Sequence, residues 1–119
     1  MRSTISVAIA AFGLAIASTG FSAHADSGLA SMHDWQRVGG KICMADHFHE
    51  GSSGIFASKA QAQAEAIRSW SDFTDLEYGS AWARFNAAAS KSIKCSPADG
   101  SKWTCMVEAR PCRIGYGKK

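Results

Sequence analysis

The sequence predicts an α+β domain: one alanine-rich helix packed on a small antiparallel sheet, in the order β-α-β-β-β, held by disulfides. Three observations predict it. A capping signal at Ser58 opens an alanine-rich run with helical spacing. Residues 102–110 alternate apolar and polar side chains, the period of a half-buried strand. Four cysteines stand in a short chain that begins like an exported protein.

The chain has 119 residues, 46% of them hydrophobic and 19% charged, which suits one globular domain and leaves no room for a second core. Met1 and Arg2 open a short positive region, and an apolar run from Ile5 to Ala17 follows. Ala23-His24-Ala25 places small residues where a signal peptidase reads. Residues 1–25 therefore read as a signal peptide cleaved between Ala25 and Asp26, rather than an uncleaved anchor. The run is shorter than the roughly 20 residues that cross a bilayer, and no later segment is a better transmembrane candidate. The expected product is residues 26–119, a single periplasmic or secreted domain. Losing Arg2 takes the net charge from +3 to +2.

Residues 26–40 read as an irregular lead-in that docks Trp35 and ends at Gly39-Gly40. Lys41 to His49 alternates and reads as a strand; Glu50-Gly51-Ser52-Ser53-Gly54 reads as a loop. In Ser58-Lys59-Ala60-Gln61 the serine hydroxyl can accept from the Gln61 N–H, so the helix starts there. Ala60, Ala64, Ile67, Trp70 and Phe73 or Thr74 form its expected buried face. Its end lies between Asp72 and Gly79, glycine being a natural stop. Ala81 to Ala87 alternates and reads as a strand. An all-helical alternative would continue the helix through Ala81–Ala89, against the placing of Trp82 and Phe85. Ala88-Ala89-Ser90 reads as a turn or bulge and Ser92–Cys95 as a short strand. Lys102 to Arg110 is the best strand, with Trp103, Cys105, Val107 and Ala109 on its inner face, and Pro111 ends it. Residues 114–119 read as a frayed tail.

Export sets how the cysteines are read. No C-x-x-C pair occurs, so a zinc ribbon or a thioredoxin-like centre has little support. Four cysteines allow three pairings. A hairpin turning at Asp99-Gly100-Ser101 sets Cys95 opposite Cys105, which leaves Cys43 with Cys112.

The string Ser69-Trp70-Ser71-Asp72-Phe73-Thr74, then Glu77-Tyr78-Gly79, Ala81-Trp82-Ala83, Trp103-Thr104-Cys105 and Pro111-Cys112, resembles a group of small exported alphaproteobacterial proteins. The resemblance runs from about His47 onward and rests on W-x-x-F, E-Y-G, W-x-C and P-C motifs. It implies an exported bacterial protein and carries no activity with it.

Three candidate sites remain. His47 and His49, flanked by Asp46 and Glu50, would share one face of a strand roughly 6.5–7 Å apart. Imidazoles so placed can bind zinc, copper or nickel, with His33 as a possible joiner from the lead-in. Met32, Met44 and Met106 would favour copper(I), although scattered methionines are more often core filler. The plainer reading is a solvated pair at a strand end. The second site is a sheet face carrying Trp82, Arg84, Lys94, Lys102 and Arg110, able to stack on or pair with a protein or an anionic envelope component. Charge is uneven: residues 91–119 carry a net +5 and residues 46–77 a net −4. The plainer reading is a solvated face complementing the acidic helix end. Export argues against nucleic acid. The third is catalysis, for which G-x-S-x-G, H-E-x-x-H and phosphate-loop motifs are all missing. A Ser52 or Ser53 nucleophile beside His47 or His49 would have no third member. The expected function is a non-enzymatic binding module, with a metal-binding protein using His47 and His49 as the alternative.

Overall fold

The computed structural model describes Gly13 and residues 29–114. The expected leader, its cleavage point and the last five tail positions lie outside the described residues. The helix, α1, spans Lys59–Tyr78. The Ser58 hydroxyl accepts from the Gln61 N–H at 3.1 Å, and Gly79 closes the last turn with φ 97°. Both ends are where the sequence places them.

Six strands form two antiparallel sheets, giving an α+β fold with two disulfides. The first sheet orders β1 (Trp35–Val38), β2 (Lys41–Met44) and β6 (Cys112–Ile114) as β1-β2-β6. The second orders β3 (His49–Phe56), β4 (Ala89–Pro97) and β5 (Trp103–Arg110) as β3-β5-β4. The β4–β5 register places Cys95 opposite Cys105, and the β2–β6 register places Cys43 opposite Cys112. Both pairs are bonded as the hairpin argument expected.

Several expectations are corrected. The lead-in is not irregular throughout: a 3-10 turn at Ala30–Met32 precedes β1. Lys41–His49 is not one strand, because a bend after Met44 divides it between two sheets. The Arg110 guanidinium pins that bend by donating to the carbonyls of Met44 and Ala45. Residues 50–54 are strand rather than loop. Gly51 is needed for close packing, since a Cβ there would lie 2.2 Å from the Ala66 carbonyl oxygen. Gly54 takes φ 70° beside the register shift between Ser52 and Ile55, and the Ser53 hydroxyl there accepts from the Cys105 N–H. Ala81–Ala87 is not a strand; turns lead into a 3-10 segment at Phe85–Ala87. Its alternation arises because Trp82 and Phe85 enter different cores. Ile114 belongs to β6 rather than to a frayed tail.

The larger core sits between α1 and the second sheet, where Ala62, Ala66 and Trp70 meet Cys105, Val107 and Ala109. The Trp70 indole donates to the Ala109 carbonyl at 3.2 Å, so burying its N–H leaves no unpaired donor. The buried stripe is Ala62, Ala66, Trp70, Thr74 and Tyr78; of the expected face, Trp70 and Thr74 are buried and Ile67 packs half-buried on the core, whereas Ala60 and Ala64 are exposed. Alanines alternate from 60 to 66, so composition alone does not choose between the two faces. A smaller core joins Ala30, Met44, Tyr78 and Trp82 where the helix end meets the first sheet. The candidate site lies beside this junction.

Candidate metal centre

Three segments meet at the helix end. His33 leaves the 3-10 turn in extended conformation. The β1–β2 pairing of Trp35 with Met44 runs on through the Ala45 N–H to the Asp34 carbonyl at 2.8 Å. That register brings His33 alongside the bend that carries His47, and the two rings lie 4.1 Å apart. Glu77 and Tyr78 come from the last turn of α1. One donor atom each from His33, His47 and Glu77 lies within 4.8 Å of the others, all three residues half-buried.

Two donors on one zinc ion at ~2.0–2.2 Å stand about 3.3 Å apart at a tetrahedral angle. Side-chain rotation that shortens the donor separations by up to about 1.5 Å brings this set to bonding distance. Two imidazoles and a carboxylate suit zinc, copper or nickel, and three protein ligands leave at least one coordination position open.

The surrounding groups hold this set in place. The Tyr78 hydroxyl lies 2.8 Å from His47 Nδ1 and also hydrogen-bonds to Glu77. A carboxylate only accepts, so the phenol proton goes to Glu77 and the phenol oxygen accepts from His47 Nδ1–H. His47 Nε2 then keeps the lone pair that a metal needs. Burial, reinforced by Glu77, pushes the phenol up to about 12, so it stays protonated at neutral pH.

His49 has a different place from the one its spacing suggested. It is the first residue of β3, whereas His47 lies in the bend, so the pair does not share a strand face. His49 is 4% exposed and its ring stacks on Tyr78 at 4.8 Å. The Thr74 hydroxyl has one proton and donates it to the Trp70 carbonyl at 2.7 Å. His49 Nδ1 and the Thr74 hydroxyl oxygen are hydrogen-bonded at 2.9 Å. His49 Nε2 lies 2.9 Å from Glu77 Oε2, a contact that becomes an ion pair when the ring is protonated. Burial holds this ring below the ordinary 6.5, against the opposing pull of Glu77. His49 thus packs beside Glu77, and His33 rather than His49 stands with His47 in the three-donor cluster.

The second predicted set does not gather into one face. Trp82 is fully buried in the smaller core, with the Trp35 ring 5.3 Å away. Arg110 is turned inward to the bend carbonyls, its guanidinium 4.6 Å from the Phe48 ring. Arg84 lines a depression with Lys41 and Ile114, whereas Lys94 lines one on the second sheet between Glu50 and Glu108. Lys102 is exposed beside the turn at Asp99–Gly100. Two tryptophans, Trp70 and Trp82, are fully buried.

Sequence reasoning singled out His47 and named His33 as a possible joiner. It gave Glu77, Tyr78 and Thr74 no part in the site. The E-Y-G string at a helix stop is the one signal that pointed to Glu77 and Tyr78. Comparison of the chain with protein-family models, curated proteins and solved structures finds no match.

Proposed function

We propose that this chain is an exported metal-binding domain that takes one divalent transition ion, zinc or copper, on His33, His47 and Glu77. The convergence of those donors from three separate segments carries the reading. The Tyr78 hydroxyl against His47 Nδ1 supports it, because metal-binding histidines characteristically donate their second N–H to an oriented acceptor. Two disulfides suit a periplasmic or secreted setting. Among the described residues no helix is long and apolar enough to cross a membrane. Recognition of a protein or anionic envelope component through an aromatic and basic face has weaker support, since Trp82 is buried and the cations are scattered. The role proposed is binding rather than catalysis.

Calorimetric titration of the disulfide-intact protein with zinc and copper(II) tests this. One ion per chain is expected, with affinity lowered by roughly tenfold or more in His33→Ala, His47→Ala and Glu77→Gln. Flat traces for the wild type would remove the proposal. So would unchanged affinity in all three variants.

A further inference from the structure

The cleft beside the cluster, of about 210 Å³, has walls of three chemical kinds. His33 and His47 contribute imidazoles, Asp34 and Asp46 carboxylates, and Met32 and Met44 thioethers. The two methionines differ. Met44 is fully buried and belongs to the smaller core, so packing accounts for it. Met32 is 77% exposed and is not part of either core. It closes the 3-10 turn immediately before His33, whose ring meets the His47 ring. An exposed, unbranched thioether is therefore free to swing over two imidazoles already in contact, with little packing to lose.

We infer that this cleft also takes copper(I), with Met32 as the ligand that selects it. This inference rests on the metal-binding reading above and specifies which ions the site accepts. Thioether sulfur is a soft donor that suits copper(I), whereas carboxylate oxygen suits harder divalent ions. Copper(I) therefore uses His33, His47 and the Met32 thioether and dispenses with Glu77. Zinc and copper(II) use His33, His47 and Glu77 and dispense with Met32. The two donor sets share the imidazoles, so the ions compete for one place.

Opposite sensitivities in two variants test this. Copper(I), supplied anaerobically as its acetonitrile complex without thiol reductant so that both disulfides stay closed, is titrated against a chromogenic copper(I) chelator. Zinc is titrated separately by calorimetry. Met32→Leu should weaken copper(I) at least tenfold and leave zinc unchanged. Glu77→Gln should weaken zinc at least tenfold and leave copper(I) unchanged. X-ray absorption of the copper(I) protein should show a sulfur scatterer that Met32→Leu removes. Zinc binding together with copper(I) binding indifferent to Met32, or with no copper(I) binding at all, would overturn this inference and leave the metal site standing. Equal weakening of both ions by Met32→Leu would also overturn it. Binding of neither ion would remove both proposals.

Discussion

His49 Nε2 stands 2.9 Å from Oε2 of Glu77, and the opposite nitrogen of the same ring is committed to Thr74. Burial disfavours the charged ring while the Glu77 carboxylate favours it, and burial is the larger of the two effects. The pair therefore links the buried packing of β3 on α1 to the half-buried donors beside it.

Stability of the metal-free protein should fall on mild acidification. Burial holds folded His49 below 6.5, while the unfolded chain takes up its proton at about 6.5. Below that value the unfolded state binds more protons, so stability declines with falling pH until the folded ring titrates. Urea midpoints in chelator at pH 7.5 and 5.5 should differ in the wild type. In His49→Gln the difference should be smaller, and an equal drop in both proteins would assign the effect elsewhere.

Tyr78→Phe should weaken zinc by about tenfold while preserving the fold, the usual scale for losing an oriented partner of a ligating histidine. The ring still fills the smaller core; only the hydroxyl between His47 and Glu77 is lost. In the wild type, an ultraviolet titration of the phenols should contain a component near 12 that the variant lacks. Unchanged zinc affinity would show that the relay does not orient His47.

Gly51→Ala should disrupt the domain. The added Cβ would stand 2.2 Å from the Ala66 carbonyl oxygen and 2.5 Å from the Trp70 backbone nitrogen, so backbone must move. The cost should be at least the roughly 1–3 kcal/mol of an overpacked core. At about 4–8 °C per kcal/mol in a domain of this size, thermal melts will show it readily. Gly54→Ala, at φ 70° with open space around it, meets only backbone strain and should cost less. A reversed order of melting would contradict the packing seen between β3 and α1.

The two disulfides should differ in their effect. Cys43–Cys112 spans 69 positions and Cys95–Cys105 spans 10. Chain-entropy reasoning gives about 4 kcal/mol for the first and about 3 kcal/mol for the second. Replacing Cys43 and Cys112 together by alanine should also reduce zinc affinity, because β2 leads directly into the bend with His47. Replacing Cys95 and Cys105 should leave zinc affinity intact. Equal zinc binding in both double variants would separate the first sheet from the site.

Local signals were enough for the elements whose reasons are local. Ser58 capping, the Gly79 stop, the alternation of residues 102–110 and the turn at Asp99–Gly100 were all readable, and the Cys95–Cys105 pairing follows from that turn. Elements whose reasons lie elsewhere in the chain misled. Glu50–Gly54 has the composition of a loop because one glycine clears the helix and the other turns a bulge. Trp82 alternates like a strand residue because it and Phe85 fill two separate cores. The His47–His49 pair looked like one face because nothing nearby in sequence announces the bend that Arg110 pins.

Short-range signals along the chain fix the fold class, the helix with both its ends, the Cys95–Cys105 pairing and the interest of His47. Each depends on hydrogen bonds, periodicities or turns spanning few residues. Long-range packing places His33 rather than His49 beside His47 and brings Glu77 into the same cluster. Those choices depend on how β1 registers on β2, where the bend after Met44 turns, and which helix face β3 accepts. Each is settled by packing between residues distant in sequence, and local spacing contains no record of it.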